Sequence, residues 1–303
     1  MRLSLWPNLM QPFEDVLALA RHAEATGWDG LWVADHFMGD GAGFGPEESP
    51  TLEATAVLAA LAAATDRLRL GPLVLGATYR HPAVVANWAA TVDLVSGGRL
   101  VLGLGAGWQE NEHRQYGIRL GPPGERVERF DEYCGVVRGL LRDDRTTVEG
   151  RWYSVTGACC EPKPQQRPLP LLVGAKGDRM LGVVARHADE WNAWGLPEAW
   201  AGRSALLDRR CEQADRDPGT IRRSTQALLL PTHDEDRARR FLEAVSPRAA
   251  AAGPPGRLAE VAAGWAEAGV DEVIVPDGPL GTGARRLEAL ELLATEVFAP
   301  FRG

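Results

Sequence analysis

A (β/α)8 barrel with insertions at its C-terminal face is the fold this sequence predicts, and three observations predict it. Eight short apolar runs alternate with helix-patterned stretches along 303 residues, which suits barrels of about 250 residues plus insertions. The pattern Gly27, Asp29, Val33, Asp35 recurs with the same spacing as Gly269, Asp271, Val275, Asp277, a trace that similar units around one axis should leave. No stretch of its own composition divides the chain, so one domain over 1–303 is expected. A doubly wound open sheet is the alternative that the same alternation allows.

The elements follow in order. Leu3 to Trp6 is the first strand, and the helix after Pro12 sets Phe13, Val16, Leu17, Ala20 and Ala23 on one face. Gly27 suits the turn after a helix end, and Leu31 to Ala34 is too short an apolar run for a helix, so it reads as a buried second strand. Met38 to Pro46 is rich in glycine and reads either as a lid or as a disordered insertion loop. Thr51 to Ala64 is helical by its alanine and leucine content, and Leu68 to Leu75 is the third strand. Pro82 starts a helix through Val84, Val85, Trp88, Val92 and Val95, and Arg99 to Leu104 is the fourth strand.

Glu125 to Leu141 carries Val127, Phe130, Cys134, Val137 and Leu141 at helical spacing. Pro162, Pro164, Pro168 and Pro170 make Asp143 to Pro170 an excursion, with a short hairpin expected around Arg151 to Val155. The remaining strands are Leu171 to Val173, Glu190 to Ala193, Ser224 to Leu230 and Val270 to Val275. Helices are expected at Met180 to His187, Ala199 to Ala214, Glu235 to Val245, Arg257 to Ala268 and Ala284 to Val297.

Composition narrows the function. A net charge of -8 argues against nucleic acid or an anionic membrane surface as the main partner, leaving small molecules. The N-terminal residues enter a strand at once without a signal-peptide core, so a cytoplasmic location is expected. No apolar stretch is long enough to span a bilayer. Cys134, Cys159, Cys160 and Cys211 make no C-x-x-C pair, which removes zinc-ribbon and thioredoxin-type chemistry.

Candidate site residues lie at the strand ends, where parallel α/β folds bind ligands. Asp35 and His36 follow the second strand, and alone such a pair is more often a loop-closing unit than a catalytic one. Gly103, Gly105 and Gly107 end the fourth strand at every second position, which either admits a flat ligand against the backbone or allows close packing. Trp108 stands where a dinucleotide fingerprint needs glycine. Gly174-Ala175-Lys176-Gly177 precedes a helix start and can hold an anion, with a plain turn capped by Asp178 as the alternative. Glu110, Asn111, Glu112 and His113 lack a recognised metal spacing, and a solvated helix start accounts for the two glutamates, so no metal is expected. Trp6, Phe37, Phe44, Trp108 and Trp194 are candidates for an aromatic substrate pocket or for packing, and His22 and His187 read as structural.

Taken together, Trp32-Val33-Ala34-Asp35-His36-Phe37, Tyr79-Arg80-His81-Pro82, Leu94-Val95-Ser96-Gly97-Gly98-Arg99, Leu102-Gly103-Leu104-Gly105-Ala106-Gly107-Trp108 and Ala188-Asp189-Glu190-Trp191-Asn192 resemble the bacterial luciferase-like monooxygenase superfamily almost from end to end. The Asp35-His36 pair is similar to the branch that uses the deazaflavin coenzyme F420 rather than FMN. The resemblance implies a (β/α)8 barrel with the cofactor at the carboxyl ends of its strands, often as a homodimer. It implies that Asp35 and His36 face the ring system, with His36 nearest the carbon that exchanges hydride, and that a non-proline cis peptide joins Leu73 to Val74 behind the ring. It further implies that Gly105, Ala106, Gly107 and Asn111 lie along the cofactor and that Gly174, Ala175, Lys176 and Gly177 hold its phosphate. One departure matters. Sugar-phosphate dehydrogenases of this superfamily place a carboxylate directly after the fourth-strand glycines, and this chain has Trp108 there, so sugar phosphate is a poor substrate expectation.

Three functions remain in order. The first is an F420-dependent oxidoreductase passing hydride between the deazaflavin and a small organic substrate. The second is an FMN-dependent monooxygenase supplied by a flavin reductase, and the third is a non-catalytic flavin-binding relative. In the first two, an F420 or flavin reductase is the expected partner.

Overall fold

In the computed structural model, which describes residues 1–302, the chain forms a parallel barrel wrapped by helices. The first half runs β1 (Arg2–Trp6), α1 (Phe13–Ala25), β2 (Gly30–Val33), α2 (Ala54–Ala64), β3 (Arg69–Pro72), β4 (Leu75–Gly76), α3 (Pro82–Val95), β5 (Leu102–Gly105), α4 (Glu110–Gln115) and α5 (Pro123–Arg142). An antiparallel hairpin of β6 (Thr146–Glu149) and β7 (Ser154–Ala158) follows. The second half runs β8 (Leu171–Gly174), α6 (Asp178–His187), β9 (Glu190–Trp194), α7 (Pro197–Gln213), β10 (Arg222–Gln226), β11 (Leu228–Pro231), α8 (Glu235–Val245), β12 (Ala250–Gly253), α9 (Pro255–Glu267), β13 (Glu272–Pro276) and α10 (Gly283–Leu292).

The main sheet has the order β3-β2-β1-β13-β10-β9-β8-β5-β4, and its two end members are halves of one expected strand. The peptide between Leu73 and Val74 is cis, and it divides that strand. β3 pairs with β2, β4 pairs with β5, and a bridge between Leu70 and Leu100 joins the two edges, so the barrel closes through strand three itself.

Three further expectations need correction. Ser224 to Leu230 is not one strand: β10 lies in the barrel, whereas β11 pairs with β12 in a separate two-stranded sheet beyond Ala227. β12, of sequence Ala-Ala-Ala-Gly, carries no alternation by which it could be recognised. The last helix ends at Leu292 and continues as a π turn over Leu293–Val297.

Side-chain alternation along the strands makes two cores. Outward residues such as Leu3, Leu5, Leu31, Leu104 and Val275 pack beneath the helices, while Trp6, Trp32, Leu73, Val101, Leu172 and Ile274 fill the barrel itself. The Trp32 ring fits because Gly71 opposes it: a Cβ there would stand 2.5 Å from the indole. Below Trp32 the barrel is closed by charge. Arg69 lies between Glu190 at 2.6 Å and Glu272 at 2.7 Å, and Glu272 also accepts from Ser4 and from the Trp32 indole N–H. Burial opposes the Arg69 charge, and the two carboxylates outweigh it, holding the guanidinium above its ordinary pKa. Among the described residues no helix is long and apolar enough to cross a membrane.

Candidate active site

The site is built at the end of β2. Asp35 is buried, and its carboxylate accepts the Gly76 amide at 2.9 Å and both Arg80 guanidinium nitrogens at 2.7 and 2.9 Å. Arg80 reaches on to Glu53, which also caps α2 by accepting the Ala56 N–H. Burial raises the Asp35 pKa despite Arg80. Both carboxylate oxygens thus help to join β2 to β4 and α3.

His36 is the residue the mouth receives. Its Nδ1 lies 2.9 Å from Glu112 Oε1, and that carboxylate also accepts the Phe37 N–H at 2.8 Å and the Tyr79 hydroxyl. Burial works against a charge on Glu112, but the bonds from His36, Phe37 and Tyr79 prevail and hold its pKa below the ordinary value. Tyr79 is pushed the other way, first by burial and then by this carboxylate. The expectation that Glu112 belongs to a solvated helix start is therefore wrong: its side chain is wholly buried on α4, and only Glu110 faces water. No sequence signal beyond proximity to a strand end marks it, because a six-residue helix has too few turns to display a face. His113 is buried as well, between Thr78 at 2.8 Å and the Gln109 carbonyl at 2.6 Å.

The aromatic candidates separate into three groups. Phe44 and Trp108 flank the His36 imidazole at centroid distances of 5.8 and 5.4 Å, and Trp108 is half exposed. Trp6 and Trp194 meet at 5.7 Å inside the barrel, in the cluster against which Phe44 also packs. Phe37 stands apart from the mouth, sandwiched between Tyr79 at 4.8 Å and Tyr116 at 5.1 Å. It is a packing residue, because both faces of its ring are covered.

The 38–46 segment is an ordered cover. Asp40 accepts the Ala42 and Phe44 amides at 2.9 and 2.8 Å, and Arg248 crosses the mouth to the Gly43 carbonyl at 3.1 Å with its guanidinium 5.0 Å from the Phe44 ring. Asn111 donates to the Gly39 carbonyl at 2.9 Å and to Glu47 at 3.0 Å, so its amide helps to hold this cover.

Gly105 and Gly174, on neighbouring strands, face Val74, and Gly76 faces the Tyr79 ring. A Cβ at Gly105 would stand 2.5 Å from Val74 Cγ2, and one at Gly103 would stand 2.0 Å from the Pro72 carbonyl. Close packing on strand three thus accounts for the alternate glycines, and it leaves a wall of backbone and valine without projecting side chains. Ala106 packs against the outer core, and Gly107 has a φ of +82° with Thr78 where its Cβ would be. Ala175 donates to the Asn192 carbonyl at 3.1 Å, and the exposed Lys176 and Gly177 lead into α6. Asp178 does not cap that helix, because its carboxylate pairs with Arg210. Among the described residues no cluster of three metal-ligating side chains occurs.

The chain is similar to proteins already known. A family model described as luciferase-like monooxygenase matches residues 1–296. A phthiodiolone/phenolphthiodiolone dimycocerosates ketoreductase of Mycobacterium kansasii is 31% identical over 274 residues, covering 84% of this chain and 72% of its own. An F420-dependent glucose-6-phosphate dehydrogenase of Amycolatopsis mediterranei is 34% identical over 232 residues, covering 74% and 67%. Among solved structures, an F420-dependent secondary alcohol dehydrogenase in complex with an F420-acetone adduct superimposes with a TM-score of 0.87 at 18% identity, over 100% of this chain and 99% of that one. A long-chain alkane monooxygenase gives 0.83 at 14% identity, over 99% and 92%. With its matched length, its barrel and the cis peptide in strand three, the chain belongs to the luciferase-like monooxygenase family.

Proposed function

We propose that the protein is a coenzyme F420-dependent oxidoreductase that moves a hydride between the deazaflavin and a small, largely apolar alcohol or carbonyl compound. The observation that carries the reading is His36: its Nδ1 is tied to Glu112, and its ring stands between Phe44 and Trp108 at the barrel mouth. A flat ring system fits the wall formed by Val74, Gly105 and Gly174, where any added Cβ would strike a neighbour or fill the cradle. The loop from Gly174 to Gly177, with Lys176 beside the start of α6, would hold a phosphate. When bound, a deazaflavin supplies two-electron hydride chemistry.

This chain's residues supply the rest. His36 exchanges the proton that accompanies the hydride, since imidazole is the side chain best suited to that task near neutrality. Trp108 occupies the position where a carboxylate would receive a sugar phosphate, which leaves His36 as the proton-exchanging group and makes the neighbouring surface aromatic. Phe44, Trp6 and Trp194 favour apolar substrates and exclude water. The ketoreductase and the secondary alcohol dehydrogenase among its relatives point to the same substrate class. A separate enzyme that regenerates the cofactor is the partner this reading requires.

Parallel titrations with F420 and FMN, followed by cofactor fluorescence and calorimetry, test it. Tight binding of F420 with turnover of secondary alcohols or ketones supports the reading. Preference for FMN with substrate-dependent oxygen uptake replaces it with a monooxygenase, and binding of neither makes the protein a non-catalytic relative.

A further inference from the structure

We propose that Glu112 is a positioning residue that fixes the tautomer of His36, keeping the proton on Nδ1 and presenting Nε2 to the barrel mouth as a bare acceptor. The geometry allows little else. The Phe37 amide can only donate, so Oε2 of Glu112 must accept, and Oε1 receives Tyr79 and His36 together. Two donors independent of His36, the Phe37 amide and the Tyr79 hydroxyl, converge on one buried carboxylate and suit its ionised form, and an ionised carboxylate has no proton to give Nδ1. Nδ1 is then the donor, and the other nitrogen carries the lone pair.

The surroundings leave this pairing undisturbed. Asp35 and Arg80 neutralise each other, with Glu53 as the second partner of Arg80. His113 is engaged by Thr78 and the Gln109 carbonyl. Phe44 and Trp108 bring no charge to the imidazole. Glu112 is thus the charge in direct contact with His36 among the described residues.

The chemical consequence rests on the proposed function. In the oxidation of an alcohol, the O–H proton passes to Nε2, the C–H hydrogen leaves with its electron pair to the bound hydride carrier, and the carbonyl forms. In the reverse direction the imidazolium returns that proton from Nε2 to the carbonyl oxygen. In both, the Nδ1 proton stays on the ring against Glu112, whose negative charge balances the imidazolium. The opposite tautomer would present an N–H to an alcohol that must itself lose a proton.

The test needs neither cofactor nor substrate. Long-range proton–nitrogen NMR of protein labelled with 15N-histidine distinguishes protonated from bare ring nitrogens, and the signals lost in His36→Gln identify His36. Neutral His36 is expected to show a bare Nε2 in the wild type and in Tyr79→Phe. In Glu112→Gln the side-chain amide can donate to Nδ1, so a shift of the proton to Nε2 is expected. A wild-type His36 with its proton on Nε2 overturns the inference whether or not any variant folds, and so does an unchanged tautomer in a folded Glu112→Gln. With F420 and an active alcohol, Glu112→Gln is expected to lower kcat by about 100-fold, the scale of general acid–base contributions, with F420 affinity and KM little changed. Glu112→Asp should recover part of that loss, and equal kcat in Glu112→Gln also overturns the inference. Failure to bind F420 with the tautomer intact would overturn the proposed function and leave the positioning role standing.

Discussion

The ends of β2 and β13 are two copies of one device with different outcomes. Each strand is entered from a glycine in the left-handed region, Gly27 at φ +82° and Gly269 at φ +80°. Two residues later an aspartate accepts the second amide of a neighbouring strand: Asp29 from Leu3 at 2.8 Å, Asp271 from Arg223 at 2.7 Å. At the far end a second, buried aspartate accepts a backbone amide and an arginine: Asp35 from Gly76 and Arg80, Asp277 from Asn8 and Arg286. The copies diverge at the next residue, where β2 offers His36 to the mouth and β13 turns through Gly278. The aspartates are therefore the barrel's fastening, and chemistry enters one residue later.

The largest test of that division is His36→Ala, which should lower turnover by about 10²–10⁴-fold with F420 affinity nearly unchanged, whereas Gly278→Ala should leave kcat intact; steady-state kinetics on both variants decide. Next, Asp35→Ala and Asp277→Ala each strand an arginine beside a vacated buried site and should cost about 3–5 kcal/mol by urea denaturation. Only Asp35→Ala should also impair turnover, because it releases the strand end that carries His36. Asp29→Asn weakens its bonds from the Leu3 amide and Arg302, and Asp271→Asn its bond from the Arg223 amide; each should cost about 1–2 kcal/mol, with Asp29→Asn the larger and neither changing kcat.

The smallest effect is in pH. Glu112 has a folded pKa below its ordinary 4.5, so its contribution to stability is present above that value and is lost as pH falls through the folded one. Asp35 and Asp277, both raised by burial above 3.8, act with the opposite sign, favouring the fold in acid and losing that contribution as pH rises. Because they act alike at both strand ends, Glu112→Gln should flatten the acid limb by removing one of the two lowered carboxylates, Glu112 and Glu53, that distinguish the β2 end. Denaturation midpoints across the acid range would measure this, and an unchanged limb would contradict the assigned charge.

How much of this was legible depends on residue spacing. Strand–helix alternation carried the barrel, and the matched spacing at Gly27 and Gly269 carried its repetition. His36 was legible because it follows a buried strand. Glu112 was not: it is three-dimensionally beside His36 but 76 residues away, on a helix too short to have a readable face. The pairing of Asp35 with Arg80 is not legible, because the arginine lies beyond the next strand and no local pattern reveals it. The break after Gln226 escaped notice because both halves of the run are strands, and only their partners differ.

The ion cluster of Arg69, Glu190 and Glu272 has a bearing on traffic. It closes one end of the barrel with salt-bridged side chains, while Phe44 and Arg248 lie over the other. Under the proposed function a substrate would then come and go by that one open end, past the Gly43–Arg248 contact. A compound bulky enough to lodge under Phe44 would then slow product departure and substrate arrival together.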